Sequence, residues 1–414
     1  MFLRWFAVFV ALAMPQVVSA QYDRLGDDVS KPNFTLTAGA LSLTLKGQLE
    51  VELHDLEGEG GPGFDSVTDT RTIGTRSPVV ELDSFVFGLR FVIADVLRVN
   101  TELEFTQSSA RLSGAWLEFR AQAPKSLGHQ VTLGYRSPIV AIDRRTERYP
   151  LIASSFWRQP ELQLAYRAAF QPQPNVALEF AVSLAMMRPL GFTAVQESTD
   201  VAGTINVLSY DPAESFSGNG ASGGALIRLT LWGAFIEAFG FMGSLAAEGG
   251  TDTLRSGFPH YRDLNSGSEI AWWAGGRLGY SGHGFHLIAE AITSQEDALQ
   301  RFGAYGQASY DIAILGGDWL GSIEPLVRYE VYRVLDSAIV RSTGRALRSP
   351  AVINAVSWDF DVLTFALRTA IYRDLLALRV EYYLIEEANG VPDLGIGDEP
   401  FRNDELLVHL EFRF

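Results

Sequence analysis

From Leu43 to His54 the chain alternates almost without a break. Leu43, Leu45, Gly47, Leu49, Val51 and Leu53 share one face of an extended strand. Thr44, Lys46, Gln48, Glu50, Glu52 and His54 share the other. A period of two sends successive side chains to opposite faces, so one face is apolar and the other carries charge. The pattern returns at Phe85, Phe87, Leu89, Phe91 and Ile93. It returns again at Leu97, Val99, Leu103 and Phe105, opposed by Arg98, Asn100, Glu102 and Glu104. Ala115, Leu117 and Phe119 oppose Trp116, Glu118 and Arg120. Val131, Leu133 and Tyr135 oppose Gln130, Thr132 and Arg136. Leu162, Leu164, Tyr166 and Phe170 oppose Gln163 and Arg167, and a further run follows from Val176 to Leu184. The second half is noisier, with strands expected near 223–232, 235–245, 269–280, 285–294, 301–314, 322–335, 357–372 and 375–386. The last run is Leu406, Val408, Leu410, Phe412 and Phe414, opposed by His409, Glu411 and Arg413.

The reading gives about sixteen strands, an even number within the range of bacterial transmembrane barrels. Short links fall near 94–96, 171–175, 233–234, 281–284 and 373–374. Long ones fall near 55–79, 137–160, 187–222, 246–268, 336–356 and 387–404. Short periplasmic turns alternating with longer extracellular loops are expected of a transmembrane β-barrel. A soluble sandwich or solenoid fits poorly. Strands with one apolar and one charged face cannot fill both sides of a solvated sheet, and β-helix repeats are absent. The fold class is therefore all-β, an antiparallel transmembrane barrel over 42–414.

Composition narrows the picture further. The 414 residues carry a formal net charge of −16 and no cysteine. Disulfides and thiolate metal sites are excluded, and so acidic a chain lacks the basic footprint that nucleic acid requires. At the N-terminus, Arg4 precedes an apolar run from Phe6 to Met14, then Pro15 and the small-residue site Val18-Ser19-Ala20. That order is a secretory signal peptide over 1–20, and the apolar run is shorter than the ~20 residues of a spanning helix. Residues 21–41 are expected to be a polar periplasmic segment ahead of the barrel. The six histidines form no readable catalytic arrangement, so no enzyme and no cofactor or metal is expected. Acidic loops such as 55–69 read as solvated charge rather than Ca²⁺ sites.

With the apolar faces toward lipid, the opposed residues line the interior. Arg98, Arg120, Arg167, Arg328, Arg379, Glu102 and Glu118 are expected on the pore wall. Burying so many ions dry would cost several kcal/mol per unpaired charge, so a water-filled bore is expected. The densest basic stretch of the chain lies in the connection 137–160 and its flanks. Arg136, Asp143, Arg144, Arg145, Glu147, Arg148 and Arg158 are the candidate pore constriction. Arginine is a fixed charge with a planar fork suited to carboxylate and phosphate. These residues can select anions, or they can pin the loop by pairing with nearby acids.

Two resemblances sharpen the expectation. Leu406 to Phe414, with Leu410, Phe412 and Phe414 at alternate positions, resembles the terminal strand of proteins inserted by the outer-membrane barrel-assembly machinery. That resemblance implies the machinery as a partner and a Gram-negative outer membrane as the location. Leu133-Gly134-Tyr135-Arg136 and the strand from Ile323 to Glu330 resemble the phosphate-selective porin O and P family. The resemblance implies a trimeric, sixteen-stranded channel whose third extracellular loop folds into the lumen. It also implies arginines at the eyelet and lysines nearby. Lysine occurs here only at Lys31, Lys46 and Lys125, so the lysine cluster is missing. The expected function is a passive outer-membrane channel for small polar or anionic solutes, among lipid and lipopolysaccharide. The alternative is a plugged structural or adhesive barrel that binds a partner through its long loops.

Overall fold

The structure is a computed structural model. It describes residues 34–55, 63–64, 71–72, 79–107, 109–122, 126–141, 145–146, 150–152, 156, 161–186, 190–194, 206–210, 221–244, 270–296, 299–314, 319–335, 358–372, 375–389, 401–402 and 404–413. Sixteen antiparallel strands make one closed wall. In chain order they are β1 (Leu41–Asp55), β2 (Val79–Ile93), β3 (Leu97–Phe105), β4 (Ala110–Gln122), β5 (Leu127–Arg136), β6 (Glu161–Gln173), β7 (Val176–Met186) and β8 (Ala221–Leu231). They continue as β9 (Ala234–Ser244), β10 (Ile270–Gly282), β11 (Phe285–Glu296), β12 (Leu299–Tyr310), β13 (Leu320–Val334), β14 (Trp358–Ile371), β15 (Leu376–Asn389) and β16 (Glu405–Arg413). Each pairs with its neighbours in sequence, and β16 closes on β1 from Gln48↔Arg413 to Asp55↔Leu406. Closure removes the free edges that an open sheet would leave unpaired. Among the described residues, no helix is long and apolar enough to cross a membrane.

The burial pattern is inverted relative to a soluble protein. Leu89, Phe119, Leu133, Leu164, Phe180, Ile227, Leu278, Phe365 and Phe412 are exposed on the outside of the wall. Glu50, Glu118, Glu237, Arg277, Arg328, Glu381 and Glu411 are buried inside it. An outer surface so apolar, on strands of nine to fifteen residues, matches the lipid-facing band of a membrane barrel. One register slip would exchange these faces, which is why the alternation fixes the register so firmly.

Most turns on one rim are tight, the nine-residue connection 311–319 being longer. Trp232-Gly233 and His283-Gly284 have positive φ at both residues (49° and 85°, 53° and 80°), the two-residue geometry that matches the twist of paired strands. Short turns of this kind mark the periplasmic rim of transmembrane barrels. The connections at the opposite rim, 56–78, 137–160, 187–220, 245–269, 335–357 and 390–404, are long, while 106–109 and 297–298 are short.

The expected lead segment 21–41 contains a strand of its own. Phe34–Ala38 pairs with the lower part of β1, from Phe34↔Leu45 to Ala38↔Leu41. β16 reaches only as far as Gln48 on that edge of β1, so this short strand continues the wall below the last strand. The expected signal peptide 1–20, residues 21–33 and Phe414 lie outside the described residues.

Candidate functional site

The connection between β5 and β6 is the third on the long-loop rim. It leaves β5 at Arg136 and returns at Glu161, one strand away. Its described residues, however, touch strands far around the wall. Arg277 on β10 donates from Nη2 to the Val140 carbonyl at 2.8 Å. On β13, Arg328 donates to the Thr146 hydroxyl, and the Glu330 carboxylate accepts from the Leu151 amide at 2.6 Å. Arg145 pairs with Glu324, also on β13, at 2.5 Å. The Phe156 ring lies 4.5 Å beneath the Arg301 guanidinium of β12 and 6.1 Å from the Trp273 ring of β10. A segment joined to β5 and β6 that meets β10, β12 and β13 from their inner faces crosses the bore.

Two kinds of force hold it there. The first is apolar. Val140, Leu151, Ile152 and Phe156 are almost fully buried, and so are the inward-facing Leu226, Phe239, Phe241 and Trp273 of β8–β10. Trp273 stacks on Phe241 at 4.3 Å and meets Phe239 edge-on at 6.1 Å. Full burial of such side chains is worth ~1.5–3 kcal/mol each. The second is ionic. Arg277 bridges Glu237 at 2.6 Å and Glu290 at 2.9 and 3.0 Å, and Tyr305 donates to Glu290 at 3.1 Å. Arg228 also pairs with Glu237, at 2.7 Å.

The wall opposite, β4–β6, is different. There the inner face keeps a polar cavity under the start of the loop, lined by Glu118, Arg120, Arg136, Ile139, Gln163 and Arg167 among others. Arg120 pairs with Glu118, which lies 3.9 Å from Arg98. Arg167 pairs with Glu179 at 3.0 Å and donates to the Ile139 carbonyl at 3.3 Å. Arg136 lies 5.2 Å from the Trp116 ring centroid. The arginines of β3–β6 thus surround a cavity on one side of the bore, and the loop is fastened to the other side, where Arg277, Arg301 and Arg328 are enclosed against it.

No known protein-family model matches the chain, and no curated protein matches it in sequence. Solved structures do match in shape. OmpF of Salmonella typhi, solved in complex with daunomycin, aligns with a TM-score of 0.56 at 12% identity, over 92% of this chain and 100% of that one. The outer-membrane channel DcaP of Acinetobacter baumannii aligns with a TM-score of 0.54 at 9% identity, over 91% and 99%. An anion-selective porin from Comamonas acidovorans aligns with a TM-score of 0.52 at 10% identity, over 90% and 100%. This is the fold of outer-membrane porins. With its apolar outer belt, the chain is a transmembrane β-barrel of that fold.

Within this porin fold, the residues expected from sequence fall in different places. Arg98, Arg120, Arg136, Arg167 and Glu118 come together on β3–β6. Arg145 and Arg328 are drawn into loop anchoring, and Arg379 pairs with Glu411 at 2.8 Å beside the closing seam. Glu102 is buried on β3. Asp143, Arg144, Glu147, Arg148 and Arg158 lie outside the described residues. Sequence reasoning missed Arg301 and Glu324 as loop contacts. Both stand on strands where the alternation is weak, and nothing local marks their partner as a loop about 150 residues earlier or more.

Gly134 has a geometric duty at this site. Its φ is +142°, and a Cβ there would lie 2.3 Å from the Ala115 carbonyl and 2.6 Å from the Trp116 Cα. The close approach seats Trp116 beneath Arg136, just before the chain leaves the wall. Gly134→Ala is expected to destabilise the barrel by about 1–3 kcal/mol from backbone strain alone. An unfolding midpoint in detergent equal to that of the unsubstituted protein would contradict this.

Proposed function

We propose that this protein is a porin: a passive, water-filled channel for small hydrophilic solutes, with a preference for anions. The observation that carries the reading is the asymmetry of the bore. The loop fastens to β10–β13, and three arginines, Arg120, Arg136 and Arg167, line a polar cavity on β4–β6. Rings or arcs of one charge in a narrow pore set ion preference. The anion-selective porin among the similar structures supports the reading by its fold. The resemblance to the phosphate-selective porin O and P family further suggests a homotrimer inserted by the barrel-assembly machinery.

In a planar bilayer the folded protein is expected to give stable ohmic steps, and in a salt gradient its reversal potential should lie on the anion side. Replacing Arg144, Arg145 and Arg148 together with alanine is expected to move that potential toward cations. An unchanged potential would assign those three residues to loop anchoring, with selectivity left to the wall. The competing reading is a plugged barrel whose long loops bind a partner. The complete burial of Arg277, Arg301 and Arg328 favours it, and it predicts negligible conductance from correctly folded protein.

A further inference from the structure

We infer that the tip of the crossing loop is latched to Glu324 at the short-turn rim, and that a proton on His286 opens this latch. The loop leaves and rejoins the wall at the opposite rim, yet its contacts run along the depth of the barrel. Arg145 meets Glu324, Thr146 meets Arg328 and Leu151 meets Glu330, three inward positions that follow one another up β13. Phe156 then lies beneath Arg301, close to the start of β12 at the long-loop rim. Glu324 stands near the short-turn end of β13, so Arg145 makes the deepest of these contacts.

Around that contact the wall gathers titratable groups. Glu324 accepts from Arg145 at 2.5 Å and from the Ser309 hydroxyl at 2.6 Å, and it stands opposite Arg368 of β14 in register. His286 of β11 pairs in register with Ser309 of β12, and its Nδ1 shares a 2.9 Å hydrogen bond with the Ser281 hydroxyl of β10. The imidazole is partly exposed, and the charges acting on it are those of Arg145, Glu324 and Asp311. Glu324 belongs to the wall and Asp311 to the connection 311–319, so both stay whether the loop is seated or not. Only Arg145 comes and goes with the loop. An imidazolium therefore has one more cation acting on it when the loop is seated. Proton binding at His286 and seating of the loop thus oppose each other, by linkage. Histidine changes charge between about pH 5 and pH 8, so acidification within that range loosens the tip without Glu324 taking a proton.

Hydrogen exchange on the folded barrel in detergent tests this, with amide protection in peptides spanning Arg145 expressed relative to the intrinsic rate at each pH. From about pH 8 to about pH 5.5, protection is expected to fall about three- to tenfold, the upper figure corresponding to about 1.4 kcal/mol of repulsion between the two cations. His286→Gln is expected to keep protection constant over that range. His286→Lys carries a cation at both pH values and is expected to be loose at both. Protection in the unsubstituted protein that does not change with pH would overturn the inference. A fall that survives in His286→Gln would overturn it too, and would assign the effect to Glu324 or another acid. So would a His286→Lys loop as protected at the higher pH as the unsubstituted one. The pH comparison on the unsubstituted protein needs no variant to fold. The readout is exposure of the loop, so a barrel that does not conduct refutes the channel alone.

Discussion

Replacing Arg277 with methionine is expected to destabilise the barrel by roughly 3–5 kcal/mol, the range for breaking a buried ion pair by removing one partner. The side chain is fully enclosed, and its guanidinium makes four hydrogen bonds: one to Glu237, two to Glu290 and one to the Val140 carbonyl of the crossing loop. Methionine fills much of the volume but takes the guanidinium away from Glu290, which keeps the Tyr305 hydroxyl, and from Glu237, which keeps Arg228. The loop loses a tether at the same time. The unfolding midpoint in urea and detergent should fall, and proteolytic cutting within 137–160 should become easier. Adding Glu290→Gln should recover part of the loss, because one buried negative charge no longer faced by Arg277 disappears. Arg277→Lys should fall between the two, since an ammonium keeps the charge but cannot serve Glu290 bidentately while also reaching Glu237 and Val140. Unchanged midpoints across the series would show that the network contributes nothing net.

The second large effect concerns the outer face. Ile227 is half exposed at the middle of β8, flanked in register by Phe180 and Ala238. Ile227→Arg is expected to cost about 2–4 kcal/mol, as for arginine on the lipid side at the bilayer midplane. Ala221→Arg at the extracellular end of the same strand should cost about 0–1 kcal/mol. The next residue, Arg228, is native because it points inward to Glu237. The measurement is the fraction folded into vesicles over a denaturant series. Equal losses at the two positions would contradict a lipid-facing β8 with its centre at Ile227.

Much of this architecture was legible from residue order alone. In β1 to β7 the alternation places every strand, because one face meets lipid and the other meets polar groups, and the two demands are opposite at every step. Phe412 and Leu410 stand where the terminal alternation puts them, on the outside of a strand that closes on β1. The long connection from Arg136 to Glu161 could be counted as third on its rim without any coordinates.

The noise in β8–β12 has a physical cause that appears only in three dimensions. Leu226, Phe239, Phe241, Trp273 and Ile292 face inward there, because the apolar residues of the crossing loop need an apolar wall. Outward positions such as Ala225, Ala238, Gly240 and Ala274 are small. The contrast between the faces is blurred where the barrel has something to hold. For the same reason the arginine-rich loop could be read as selecting solutes or as an anchor, and its described part is both bonded and buried. The sequence by itself determined the barrel, its strands and which face meets the membrane, since those follow from a period of two between neighbouring residues. Only the tertiary structure decided where the loop is fastened. It also decided which wall acids and arginines the loop meets, since those contacts join groups far apart in the chain.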